Sequence, residues 1–294
     1  MTDSSSSSRE DVPEASNRLG IDGIEFIEYT TSQPQALGQV LEGLGFRPVA
    51  RHRSREVTLY RQGDMNLVVN AGAADVLAHA ASDGQPVISA VALRVQDALQ
   101  AHTRCIELGA WAAPSQAQAM ELHIPAIHGP GGSRFYFVDR WHEFSIYDID
   151  FKPVAGADPH PPALAGLGYF GVVQYIGRGR SADWITYFER MFDFHLLPDA
   201  QRFGILPKGK LMRSPCKRFL WQLIEPDPGL EWDDMPERLQ RIGLGTTDVP
   251  AAVQALRQRG VEFVESSRLH PDDRGALTRN AMGTVVFELV HRDA

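Results

Sequence analysis

At 294 residues the chain is long for one average domain and suits two of roughly 150 each. Its 43% hydrophobic, 9% aromatic and 22% charged residues are ordinary for a globular protein, and 29 Lys and Arg against 37 Asp and Glu leave a formal charge of −8. These numbers exclude a collagen-like repeat, a disulfide scaffold and wholesale disorder. They also argue against nucleic acid or an anionic membrane as partner, since both demand a basic footprint.

In chain order, the opening MTDSSSSSREDVPEAS is polar and acidic, has no apolar core, and does not read as a leader. Residues 1–18 are expected to form a disordered tail. Strand signals then fall at 24–28, 57–61, 66–69, 88–95, 134–139 and 145–149, with helices at 34–44 and 95–108. The run from Pro153 to Pro162 is rich in Pro, Gly and Ala and reads as a linker. Beyond it come strands at 169–176, 219–224, 242–246 and 284–290, and helices at 182–192 and 249–259. No stretch approaches the roughly 18 apolar residues of a membrane helix. Cys105 and Cys216 form no paired motif, which suits two reduced thiols in a cytoplasmic protein.

The pattern repeats. A short apolar strand ending in Asp97 precedes an Ala-rich helix that stops at Leu108-Gly109. The same series recurs with Asp248 and Arg259-Gly260, 151 residues later. Asp97 and Asp248 stand where helix N-caps belong, and Gly109 and Gly260 fit the left-handed position after a helix. A second pair, 24–46 and 172–194, ends in Phe46 and Phe194 at an offset of 148. The chain therefore reads as a tandem duplication, each half built from two strand–helix–strands units around a curved sheet. The expected boundaries are 19–152 for the first domain, 153–165 for the linker and 166–294 for the second.

The residues themselves resemble a known family. Gly23 to Tyr29, Ala50 to Ser54, Thr58 to Gly63, Asn66 to Asn70, Leu93 to Ala98, Glu107 to Ala110, Met120 to Ile127 and Ser145 to Phe151 are similar to 4-hydroxyphenylpyruvate dioxygenases. The second half resembles them more weakly, through Gly177 to Arg180 and Phe287 to Arg292. The resemblance implies an α+β fold of tandem vicinal oxygen chelate domains, the glyoxalase and dioxygenase type, made of paired βαβββ modules. It further implies that the chemistry belongs to the second domain. There a facial triad of two His and one carboxylate holds Fe(II), leaving room for a 2-oxo acid and O2.

By that resemblance Glu288 is the surviving carboxylate ligand. The other two positions depart from the pattern: Arg241 stands at one His, and Phe170 or Gly171, depending on a one-residue gap, at the other. Of the ten His, His291 lies three residues past Glu288 and so points to the opposite face of a strand. His195 follows a helix and His270 sits in a polar loop, while the rest belong to the first domain or the linker. The segment 264–283 is short for the family, and the helix that closes its pocket is expected to be absent. Ser214 and Gln240 match family positions that line the substrate pocket. An Arg in a cleft-facing strand needs a partner, because an unpaired buried charge is costly. Arg241 is therefore expected to pair with Glu288 in the vacated metal position. In the first half the offsets place Gly23 and Ala90 at the equivalent sites, which offer no metal ligand.

The expected function follows. The chain is a relative that binds a small aromatic or 2-oxo acid in the second cleft through Ser214, Gln240 and Arg241, with no cofactor, Fe(II) being implied by resemblance alone. Two alternatives stay open: a working Fe(II) dioxygenase using other ligands, and a non-catalytic interaction protein, for which a homo-oligomer is the candidate assembly. The Gly-rich stretch at 129–132 reads as a turn, since a lone Gly-rich loop is weak evidence for phosphate.

Overall fold

The computed structural model describes residues 16–72, 84–114, 121–142, 144–201, 203–205, 209–226, 236–267 and 269–293. The first fifteen residues of the expected tail lie outside these, whereas Arg18 is fixed: its backbone and side chain both bond the Asp193 carboxylate.

The first half contributes β1 (Ile24–Thr30), α1 (Pro34–Gly43), β2 (Arg47–His52), β3 (Val57–Gln62), β4 (Met65–Asn70), β5 (Val87–Arg94), α2 (Ala98–Glu107), β6 (Ala126–His128), β7 (Arg134–Val138), α3 (Ile146–Asp150) and β8 (Phe151–Pro153). Its eight strands form one sheet in the order β6-β7-β5-β1-β4-β3-β2-β8. The second half supplies β9 (Gly168–Tyr175), α4 (Ser181–Phe192), β10 (His195–Leu196), β11 (Lys210–Arg213), β12 (Leu220–Ile224), β13 (Arg238–Thr246), α5 (Val249–Gln258), β14 (Gly275–Leu277) and β15 (Phe287–His291). These strands make a second sheet, β10-β11-β12-β9-β13-β15-β14. In each sheet the two central strands run antiparallel, and each has a parallel neighbour on its outer side.

Local chemistry explains the helices. Asp97 accepts from the Gln100 amide at 2.8 Å and Asp248 from the Ala251 amide at 2.9 Å, so each satisfies a free amide of the first turn. Gly109 and Gly260 close these helices at φ +96° and +86°. The segment 145–149, expected as a strand, is instead the short helix α3. The reason is a Ser-x-x-Asp box: the Asp148 carboxylate takes the Ser145 amide at 2.8 Å and ties off the turn.

Strand alternation sorts side chains onto two faces. One face of each sheet carries the helices and feeds a single core that runs through both halves, with Ile27, Tyr29, Phe135 and Phe137 on one side and Trp221, Ile242, Leu244 and Leu289 on the other. Phe135 is the junction, its ring packing on Phe188, Phe192 and Trp221 at centroid separations of 6.3, 5.0 and 5.5 Å. The linker is also fastened down. Pro161 accepts from Gly63, Pro159 from Arg61, and the Leu164 amide donates to Gln62, all on or beside β3. The opposite, concave face of each sheet forms a cleft, which in the first half is partly filled by an apolar cluster of Phe26, Val57 and Val68 with Ile146 and Tyr147 of α3.

The duplication is offset differently along the chain. In both halves a bulge interrupts the central pairing: Glu25 is the extra residue on β1 and Phe170 on β9. Phe26 faces Ala92 as Gly171 faces Gly243, so the first-half counterpart of Gly171 is Phe26 and not Gly23, which precedes the strand. A constant offset failed here because the connection between β1 and its helix differs in length between the halves.

Candidate functional site

The cleft of the second sheet is built on β9, β13 and β15. Gly243 lies opposite Gly171 and beside Glu288, so three strands present one row of positions to the concave face. Arg241 is two residues before Gly243 and shares its face. Its Nε donates to Glu288 Oε2 at 3.2 Å, and each side chain is only 6% exposed. Arg241 Nη1 also reaches the Tyr175 hydroxyl at 3.4 Å. Burial pushes the Glu288 carboxyl up from the usual carboxylate range, and the Arg241 charge and hydrogen bond pull it back.

The neighbouring positions are apolar or bare. Phe170 leans into the cleft and meets Phe203 edge to face, with ring centroids 5.3 Å apart. Gly204 follows with φ +62°, and a Cβ there would stand 2.6 Å from Glu288 Oε1. Only glycine lets the backbone pass so close to the carboxylate in a left-handed conformation. The segment 203–205 thus plugs the cleft, leaving a cavity of about 30 Å3 walled by Phe170, Phe203, Leu211 and Val290.

The other expected site residues are placed differently. Gln240 is the extra residue of a second bulge and receives Arg238 Nε at 2.6 Å. It is half-buried beside Arg238, whose guanidinium lies over the Tyr175 ring, and it does not line the small cavity. Ser214 is fully buried in its own turn: its hydroxyl accepts from the Phe219 amide at 3.3 Å and contacts Cys216 Sγ. It does not line the small cavity. His195 is on β10, the far edge strand from β15, and His291 ends β15 near Asp293. The plug of Phe203 and Gly204 escaped sequence reasoning, because nothing local in an irregular connection shows which strand it folds onto.

This donor set does not fit the Fe(II) that the resemblance implies. Phe170 and Gly171 offer no ligand atom, and Glu288 is engaged by a guanidinium, which repels a dication. Among the described residues no three His, Cys, Asp or Glu side chains converge in a metal-binding arrangement.

The comparisons with known proteins match this architecture. The family model described as hydroxyphenylpyruvate dioxygenase, N-terminal, covers residues 15–152. A 4-hydroxyphenylpyruvate dioxygenase of Pseudomonas aeruginosa is 33% identical over 270 residues, spanning 86% of this chain and 74% of that protein. The chain belongs to the 4-hydroxyphenylpyruvate dioxygenase family. Another relative, Hemolysin VllY of Vibrio vulnificus, is 35% identical over 278 residues, with 88% of this chain and 76% of that protein aligned. Among solved structures, a xylose isomerase-like TIM barrel/4-hydroxyphenylpyruvate dioxygenase fusion protein superposes with a TM-score of 0.74 at 24% identity, over 96% of this chain and 50% of its own. The fold is accordingly the family's tandem vicinal oxygen chelate fold. Among the described residues no helix is long and apolar enough to cross a membrane.

Proposed function

We propose that this family member binds a small aromatic or 2-oxo acid and does not carry out Fe(II)-dependent dioxygenation. The observation that carries the reading is the buried contact between Arg241 and Glu288, 3.2 Å apart at the position where the family's metal would be held. A fixed monovalent guanidinium there replaces a divalent cation. It can still neutralise a carboxylate, since a guanidinium offers a planar fork of donors. It has no coordination site at which O2 could be activated. Arg241 Nη2 has no hydrogen-bond partner among the described residues, and Gln240 stands close by in sequence. Together they are the candidate carboxylate contacts of the second cleft, reached when Phe203 withdraws.

Metal analysis of the purified chain, with and without added Fe(II), tests the reading together with oxygen uptake on 4-hydroxyphenylpyruvate. The expected result is no stoichiometric metal, no uptake above buffer, and a rise in melting temperature with the acid, because a ligand of the native state stabilises it. Stoichiometric Fe, Mn or Zn that disappears in Glu288→Ala would overturn it.

A further inference from the structure

The concave face of the first sheet is open where that of the second is plugged. Residues 121–124 and α3 pack over part of it, through Leu122, Ile124, Ile146 and Tyr147, and a cavity of about 160 Å3 remains beneath them. A volume of about 150 Å3 is enough for a benzene ring. Phe26 and Tyr136, with centroids 5.9 Å apart, form one wall, and Val57 and Val68 belong to the apolar cluster of the other. By sheet register, Tyr136 is the first-half counterpart of Glu288 and Ala90 of Arg241, so the ion pair that blocks the second cleft has no equivalent here.

Of the charged groups that line the cavity, Arg55 and Glu121 pair with each other and Asp150 takes the Leu122 amide, whereas Glu28 and Arg134 do not pair. Glu28 on β1 is held through one oxygen. Ser89 Oγ and Asn70 Nδ2 donate to Oε1 at 2.9 and 3.3 Å, and Thr30 Oγ1 donates to Ser89 Oγ at 2.7 Å, while Oε2 has no partner among the described residues. Arg134 on β7 is half-buried, and its side chain makes one hydrogen bond, 3.4 Å to the Tyr136 hydroxyl. No ion pair joins it to any carboxylate of the described residues, although it lies close enough for its charge to oppose the upward push of burial on Glu28. A guanidinium and a carboxyl that face one cavity unpaired leave two specific demands. The first is for a carboxylate and the second for a hydrogen-bond donor, with room for one ring between them.

We infer that the first-half cleft is a binding site for a small hydroxyaromatic carboxylate, its carboxylate on Arg134, its ring between Phe26, Tyr136, Val57 and Val68, and its hydroxyl on Glu28 Oε2. The inference rests on the reading of the chain as an acid-binding protein and adds a site in the first cleft to the one proposed in the second.

The test is isothermal titration of the full chain with 4-hydroxybenzoate, followed by hydrogen exchange of the complex. Saturable binding is expected, with slowed exchange in Ile24–Thr30 and Arg134–Val138. Arg134→Gln should weaken binding at least 10-fold without a large change in melting temperature. Should that variant not fold, Arg134→Lys keeps the charge and loses the fork, and a several-fold loss is expected. Glu28→Gln should weaken 4-hydroxybenzoate more than benzoate, which has no hydroxyl to present. Protection confined to Gly168–Tyr175 and Arg238–Thr246 would overturn the inference and leave the acid-binding reading standing. Binding of 4-hydroxyphenylpyruvate to those second-half strands, with no binding of 4-hydroxybenzoate, would do the same. Failure of both acids to bind would overturn both.

Discussion

Removing one member of the buried ion pair should be far more damaging than removing both. Arg241 and Glu288 are each 6% exposed in their side chains, and no other carboxylate pairs with Arg241 among the described residues. In Glu288→Ala the guanidinium stays buried with only the Tyr175 hydroxyl, 3.4 Å away, as compensation. Breaking such a pair from one side costs about 3–5 kcal/mol, whereas replacing both members with well-packed apolar residues is often neutral or stabilising. At about 2–4 °C per kcal/mol for a large domain, Glu288→Ala should lower the melting temperature by roughly 6–20 °C. The double replacement Arg241→Met with Glu288→Leu should melt within a few degrees of the parent. Urea and thermal unfolding of the parent, both singles and the double complete the cycle. A loss below about 1 kcal/mol for Glu288→Ala would show that water reaches the pair, and the reasoning about a sealed ion pair at the metal position would fail.

Other outcomes can be stated briefly. Gly204→Ala combines a left-handed backbone with a Cβ 2.6 Å from Glu288 Oε1, so it should cost upwards of about 1–2 kcal/mol and release the plug, read as a lower urea midpoint. Phe135→Ala removes the ring shared by Phe188, Phe192 and Trp221 and should cost about 3–5 kcal/mol, with both halves melting earlier in hydrogen exchange. Burial alone would raise the Asp193 carboxyl, but the Arg18 hydrogen bonds outweigh it and hold the group below its ordinary range. Its stabilising contribution is therefore present above the unfolded value of 3.8 and lost as pH falls through the lower folded value, so Arg18→Ala should flatten the acid limb of a stability–pH curve. Glu288 has the opposite sign. A carboxyl raised in the fold binds its proton more tightly there, so stability falls as pH climbs from 4.5 toward the folded value, and Glu288→Gln should remove that slope.

Much of the frame was legible because it is written in local or periodic signals. Asp97 and Asp248 mark helix starts by the amides they cap, Gly109 and Gly260 mark stops by their positive φ, and their common spacing reveals the duplication. Arg241 announces a buried partner because a charge between apolar strand residues requires one. What escaped depends on geometry that a linear pattern does not carry. The bulges at Glu25 and Phe170 shift equivalences by residues that no offset foretells, so Phe26 rather than Gly23 answers to Gly171. The α3 segment carries apolar residues at strand-like spacing, and a single side-chain box overrides them. Phe203 and Gly204 reach Phe170 and Glu288 across the fold, and Glu28 and Arg134 line one cavity from strands that β5 separates. Such encounters become visible only when the sheet register is known.

The Phe135 junction bears on how such a chain persists. A ring from the first sheet sits among Phe188, Phe192 and Trp221 of the second, and Tyr169 of the second half donates to the Asn66 carbonyl of the first. Deleting either half would lay bare an aromatic face and abolish a share of the other's interior. A duplicated protein joined this way is not free to discard a half whose chemistry has lapsed. The second half would then be kept as the wall against which the first stands. Selection on either cleft would thereby preserve the whole chain.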